Sequence, residues 1–240
     1  MVTVASPSSS HRFFRLPLVF DVRLLQADLS LCLDEQWKAH FNTRDYSGNW
    51  TGISLRSSSG TSDDILAHDA QGYHDTRLLD SCRYLREAID RLQCEKETIR
   101  LLRLAAGSRI NEHRDQGLGY EHGVFRLHVP ILTGTGVSFR VDGCDVPMRA
   151  GECWYANFSL PHSVTNDSPH DRIHMVIDCR RNGWSDEVFR DAGYDFAYET
   201  QTHRPDAATR RQMIEHLSTM TSEGARTLLE QLLREEQEGR

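Results

Sequence analysis

Two histidines and an aspartate stand at spacings that suit one metal ion. His113 and Asp115 form an H-x-D pair in INEHRDQGLGYEHGVFRLHVPI (110–131). On a strand or at its immediate end, residues two apart point to the same face, so one imidazole and one carboxylate converge. A third ligand must come from elsewhere in the fold. SLPHSVTN (159–166) supplies His162, at the start of a predicted strand. Two imidazoles and one carboxylate leave three positions open on an octahedral ion. That arrangement suits non-haem iron(II), which needs open positions for oxygen and a chelating cosubstrate. Arg172 opens the next predicted strand, RIHMVID. A buried arginine is costly unless paired, and its planar fork matches a carboxylate. Arg172 is therefore placed to hold a dicarboxylate beside the metal. Arg126 and His128, two apart on one strand, point into the same space.

Each piece alone has a plainer reading. H-x-D is also a common surface pair, and His162 alone could be a core histidine. Arg172 alone could pair with Asp171 or Asp178 at a strand end. His122, His170 and His174 are rival ligands. Of these, His174 shares the face of Arg172, and His170 sits in the turn SPHDR. Trp154 and Tyr155 read as core or barrel rim. Asn157 reads either as a site residue or as a turn cap.

These residues need strands to carry them. From Glu97 to Cys179 come short apolar segments separated by Gly, Asn and Asp: TIRLLRLA, VFRLHVPI, GVSFRV, VPMR, ECWYAN, HSVTN and RIHMVID. Such a series predicts a sandwich, barrel or jelly roll. The flanks read differently. Leu16 to Phe20 predicts a short strand, Val22 to Leu33 a helix, WTGISLRS (50–57) a strand, and Leu78 to Leu92 an amphipathic helix. Beyond Trp184 the pattern turns helical, with two helices expected over 204–221 and 222–236. Residues 1–12 are small and polar and are expected to fray.

Composition narrows the class. The formal charge is −7 with no long basic run, so nucleic acid is not an expected partner. Neither a secretory leader nor a membrane span is legible, which predicts a cytoplasmic location. The six cysteines form no CxxC pair and read as reduced, packed residues.

HRD, FRLHVPI, MRAGECWYANFSLPHSVTN and RIHMVID together resemble the aspartyl/asparaginyl β-hydroxylase family of iron(II)/2-oxoglutarate dioxygenases. That family includes bacterial hydroxylases of free amino acids such as proline. The order H-x-D, R-x-H, G-E-x-W, H and R carries the resemblance over roughly 98–185, with a weaker echo at NWTGISLRS (49–57). The resemblance implies a double-stranded β-helix, a cupin-like jelly roll, with flanking N- and C-terminal helices. It implies iron(II) on His113, Asp115 and His162, and 2-oxoglutarate on Arg172, Arg126 and His128. Trp50 would line the cosubstrate or substrate pocket. The implied reaction consumes O2 and 2-oxoglutarate, releases succinate and CO2, and hydroxylates an aliphatic carbon of an Asp-, Asn- or Pro-like residue, free or in a peptide. The expected organisation is a dioxygenase domain over 1–200, with its β core at about 97–180, and a helical extension over 201–240. That extension is a candidate for a homodimer contact or for docking a substrate protein. The competing reading is a cupin-like binder of a metal or small molecule without turnover.

Overall fold

The computed structural model describes residues 9–67, 72–197, 199, 207–220 and 222–238. The chain divides into two compact units, Met1–Asp195 and Phe196–Arg240.

The first unit is mainly antiparallel sheet. Its elements are α1 (Ser9–Arg12), β1 (Phe13–Val19), α2 (Val22–Cys32), β2 (Lys38–Ala39), β3 (Tyr46–Ser47), β4 (Trp50–Ser57), β5 (His74–Asp75), α3 (Arg77–Ser81), α4 (Arg83–Asp90), β6 (Lys96–Leu104), β7 (Arg109–His113), β8 (Val124–Leu132), β9 (Val137–Val141), β10 (Cys144–Asp145), β11 (Glu152–Ala156), β12 (His162–Asn166), β13 (Arg172–Arg180) and α5 (Gly183–Asp191). The larger sheet runs β1-β11-β8-β13-β6-β4-β2, with β5 beside β4; the smaller runs β10-β9-β12-β7-β3. From β6 onward the chain crosses between the two sheets at almost every strand. That winding makes a double-stranded β-helix, a jelly roll with helices flanking it.

The alternation of side chains decides what the sheets enclose. β13 is buried on both faces. Its odd-numbered residues, Ile173, Met175, Ile177 and Cys179, form an apolar face. Arg172, His174, Val176 and Asp178 occupy the other. β8 repeats the division, with Phe125, Leu127, Val129 and Ile131 opposite Arg126 and His128. On the inner side, Trp50, Leu102, Leu104, Trp154 and Val176 from the larger sheet meet Ile110, Phe139, Val141 and Val164 from the smaller one.

The helices cover the outer face of the larger sheet. Asp21 caps α2 by accepting from the backbone N–H groups of Arg23 and Leu24, a contribution of about 1 kcal/mol. Leu25, Leu29 and Cys32 form the buried stripe of α2. The helix predicted over 78–92 is broken at Cys82, where φ is −103° and ψ is 77°. The break exposes the N-terminus of α4 to Asp28, whose Oδ2 accepts from the backbone N–H groups of Tyr84 and Leu85 at 2.6 and 2.8 Å. The predicted strand VPMR is also absent; β10 ends at Asp145. Pro147 has no N–H to give to a ladder.

In the second unit, helices Ala207–Ser218 and Glu223–Glu238 pack against each other. The expected residues 204–206 and 221 lie outside those described. No helix among the described residues is long and apolar enough to cross a membrane.

Candidate functional site

His113 ends β7, and His162 begins β12. The register pairs them directly, with ring centroids 4.2 Å apart. Each ring is held by the carbonyl two residues before it. His113 Nδ1 lies 2.8 Å from the Asn111 oxygen, and His162 Nδ1 lies 3.0 Å from that of Leu160. A carbonyl only accepts, so both Nδ1 atoms carry the hydrogen, and in the neutral ring Nε2 holds the lone pair. This is the orientation a metal-binding imidazole needs.

Asp115 lies past the end of β7. Its backbone N–H donates to the Phe158 carbonyl at 2.9 Å. Its side chain turns back toward His113, with Oδ1 3.7 Å from His113 Nε2. One ligand atom from each of His113, Asp115 and His162 lies within 4.8 Å of the others. Asp115 Oδ2 is occupied, accepting from Arg126 Nη1 at 2.8 Å. Burial raises the Asp115 pKa, but Arg126, His162 and His113 outweigh it and hold the carboxyl below its usual range. Burial chiefly pushes His162 down to about 4. The cluster offers two imidazole Nε2 atoms and one carboxylate oxygen, a donor set that fits a divalent ion of the iron type.

The three ligands open into a cavity of about 580 Å³, whose wall also carries Arg126, His128, Arg172, Trp50 and His40. Arg172 is 2% exposed. Its Nη2 donates to His174 Nδ1 at 2.8 Å, and its Nε has no partner. Among the described residues no carboxylate pairs with it. Burial lowers its pKa to about 9, which still leaves it charged at neutral pH. His128 Nε2 and His174 Nε2 are likewise buried without partners. Burial, reinforced by the charge of Arg172, holds both imidazoles well below their ordinary pKa. A buried cation beside orphaned ring nitrogens, at the wall of a cavity, fits an incoming carboxylate.

Arg126 has a different setting. Its Nε and Nη2 donate to Asp178 at 2.6 and 3.1 Å, while Nη1 holds Asp115. Its guanidinium also lies 5.1 Å from the centre of the Phe158 ring. Asp178 is 3% exposed and receives Thr98 Oγ1 and Arg100 Nη2 as well. It is not a surface partner for Arg172. Trp50 stacks on His40, with centroids 3.5 Å apart and planes 13° apart.

Several of these contributors were not legible in the sequence. His40 lies in an irregular segment with no periodic signal. Arg100 and Asp178 look like ordinary strand charges until the register brings them together. Phe158 packs its ring against His128 and His162 as well as Arg126, and nothing in its local pattern distinguishes it from core. Among the rival residues, His174 reaches the site through Arg172. His122 and His170 are not among the cavity-lining residues. Asn157 caps a turn, its Oδ1 accepting from the Ser159 backbone.

The chain is similar to known proteins in sequence and in fold. The family model described as aspartyl/asparaginyl beta-hydroxylase matches residues 21–182. An L-proline cis-4-hydroxylase of Rhizobium meliloti (strain 1021) is 26% identical over 176 residues, covering 71% of this chain and 61% of the relative. An L-proline cis-3-hydroxylase of a Streptomyces species is 31% identical over 153 residues, covering 60% and 52%. The chain thus spans between half and two thirds of the length of these relatives. Among solved structures, a prolyl-4-hydroxylase of Pseudomonas putida aligns with a TM-score of 0.45 at 17% identity, covering 72% of this chain and 94% of that one.

Proposed function

The chain belongs to the aspartyl/asparaginyl β-hydroxylase family, and on that premise we propose that it is an iron(II)- and 2-oxoglutarate-dependent dioxygenase hydroxylating an aliphatic carbon of a proline-like amino acid. The observation that carries the proposal is the pairing of two features in one cavity. One is the open triad of His113, Asp115 and His162; the other is the buried Arg172, which pairs with no carboxylate among the described residues. A metal-binding protein without turnover needs the first and not the second.

The residues take the following roles. His113 and His162 present Nε2 to the metal, and Asp115 presents Oδ1. Iron(II), with 2-oxoglutarate and O2, would supply the oxidative decarboxylation and the insertion of one oxygen atom into a C–H bond. Arg172 pairs with the distal carboxylate of 2-oxoglutarate, with His128 and His174 at hand as further polar contacts. Their neutral rings add no charge to compete with the guanidinium. Arg126 chiefly orients Asp115, a shift of emphasis from the direct cosubstrate contact expected of it. Phe158 and Phe139 flank His128 and exclude water there. Trp50 and His40 form a flat wall on which a small ring or aliphatic side chain can rest.

The names of the two proline hydroxylases support a free amino acid as substrate. The test is a panel of amino acids and short peptides with iron(II), 2-oxoglutarate and O2. The expected result is succinate release coupled to a substrate mass gain of one oxygen, with L-proline or a near relative as the best substrate. Stable binding of 2-oxoglutarate with no turnover on any member of the panel would favour a binding protein instead.

A further inference from the structure

Asp178 is buried and charged, and the roles above leave it unused. It accepts from four donors: Thr98 Oγ1 at 2.7 Å, Arg100 Nη2 at 2.8 Å, and Arg126 Nε and Nη2 at 2.6 and 3.1 Å. Arg126 and Asp178 are direct partners in the β8–β13 register, so the pair is built into the sheet. Two sides of the Arg126 fork are thereby fixed. The remaining nitrogen, Nη1, points at Asp115 Oδ2. Asp115 itself is off the strand, beyond His113, where its backbone N–H donates to Phe158 and its carbonyl accepts from Leu118.

We propose that Asp178 is a positioning residue for the metal, acting through Arg126 on Asp115. A guanidinium released from Asp178 could turn its fork to both oxygens of Asp115, the arrangement arginine and carboxylate prefer. That would take Oδ1 away from the metal. With Asp178 holding Nε and Nη2, Arg126 reaches Asp115 through one nitrogen only. One carboxylate oxygen is pinned and the other is left facing His113 and His162. Such outer contacts commonly govern metal affinity by about 10–100-fold. The inference rests on the reading of His113, Asp115 and His162 as the metal site.

The test is anaerobic calorimetry with cobalt(II) alone, on wild type, Asp178→Asn, Arg126→Gln and the double variant, with folding checked by circular dichroism. The relay predicts one cobalt per wild-type chain and an affinity about 10–100-fold lower in Asp178→Asn. It also predicts little further loss when Asp178→Asn is added to Arg126→Gln, because the only route to Asp115 is already gone. If Asp178→Asn does not fold, Thr98→Val removes one hydrogen bond from Asp178 and should lower cobalt affinity by a smaller factor. A folded Asp178→Asn, or in its place Thr98→Val, that binds cobalt like wild type overturns the relay alone. So does a loss that persists undiminished in the Arg126→Gln background. Wild type that fails to bind cobalt, or His162→Ala that binds it normally, overturns the metal-site reading and the relay with it.

Discussion

Arg172 donates to the Nδ1 of His174 at 2.8 Å and meets no carboxylate among the described residues, although it is one of their most deeply buried side chains. A buried guanidinium in that state lowers stability, because burial removes its water and an imidazole returns only part of the interaction. Binding an anion relieves the cost. Replacing Arg172 with Met should therefore separate stability from function. The metal-free Arg172→Met protein should be more stable than wild type, by on the order of 1–2 kcal/mol, read as a higher melting temperature. Its KM for 2-oxoglutarate should rise by roughly 100-fold, the loss of a charge-assisted paired contact. An unchanged KM would remove Arg172 from the cosubstrate site.

The buried imidazoles make stability depend on pH. In the folded chain His162 titrates at about 4 and His40 at about 3, and His128 and His174 lie well below 6.5. The unfolded chain takes up protons on these rings near 6.5, so below that pH it binds more protons than the folded chain. Their contribution is fully present above about pH 6.5 and is lost as pH falls, down to about 4 for His162 and about 3 for His40, by up to about 1.4 kcal/mol per pH unit for each group. Melts of the metal-free protein should be flat above about pH 6.5 and fall below it, and His128→Gln should make the fall shallower. A melting temperature that rises on acidification through this window would contradict the burial of neutral histidines.

Gly151 accounts for the glycine of the G-E-x-W segment. Its φ is +79°, and a Cβ there would sit 2.5 Å from the Phe20 carbonyl oxygen. The same glycine accepts from the Phe20 backbone N–H at 2.8 Å, where β1 joins β11. Gly151→Ala should cost on the order of 2–3 kcal/mol through strain and displacement of β1. Denaturant unfolding would measure it, and a loss below about 0.5 kcal/mol would show that the junction relaxes freely.

The inner and outer faces of β8 and β13 were legible because strand side chains alternate with period two. FRLHVPI carries Arg126 and His128, and RIHMVID carries Arg172, His174 and Asp178, all on one alternate set of positions within an otherwise apolar run. That alternation places Arg126 with His128 and Arg172 with His174. The sequence did not reveal which strands lie side by side. Only the register puts Asp178 opposite Arg126 and His113 opposite His162. It also did not show that Asp115 lies beyond its strand, held by Phe158 rather than by the alternation that first linked it to His113. His40 was missed because it lies in a short irregular stretch beside Trp50, where neither helical nor strand periodicity operates.

The central claim is that His113, Asp115 and His162 hold one iron(II) ion to which 2-oxoglutarate binds with the help of Arg172. Anaerobic calorimetry of the intact chain tests it most directly, first with iron(II) and then with 2-oxoglutarate added to the loaded protein. The predicted result is one iron and one 2-oxoglutarate per chain. Metal binding should be lost in the Asp115→Ala, His162→Ala double variant. In Arg172→Met the metal should be retained and the 2-oxoglutarate affinity sharply reduced. Normal iron binding by the double variant would contradict the account.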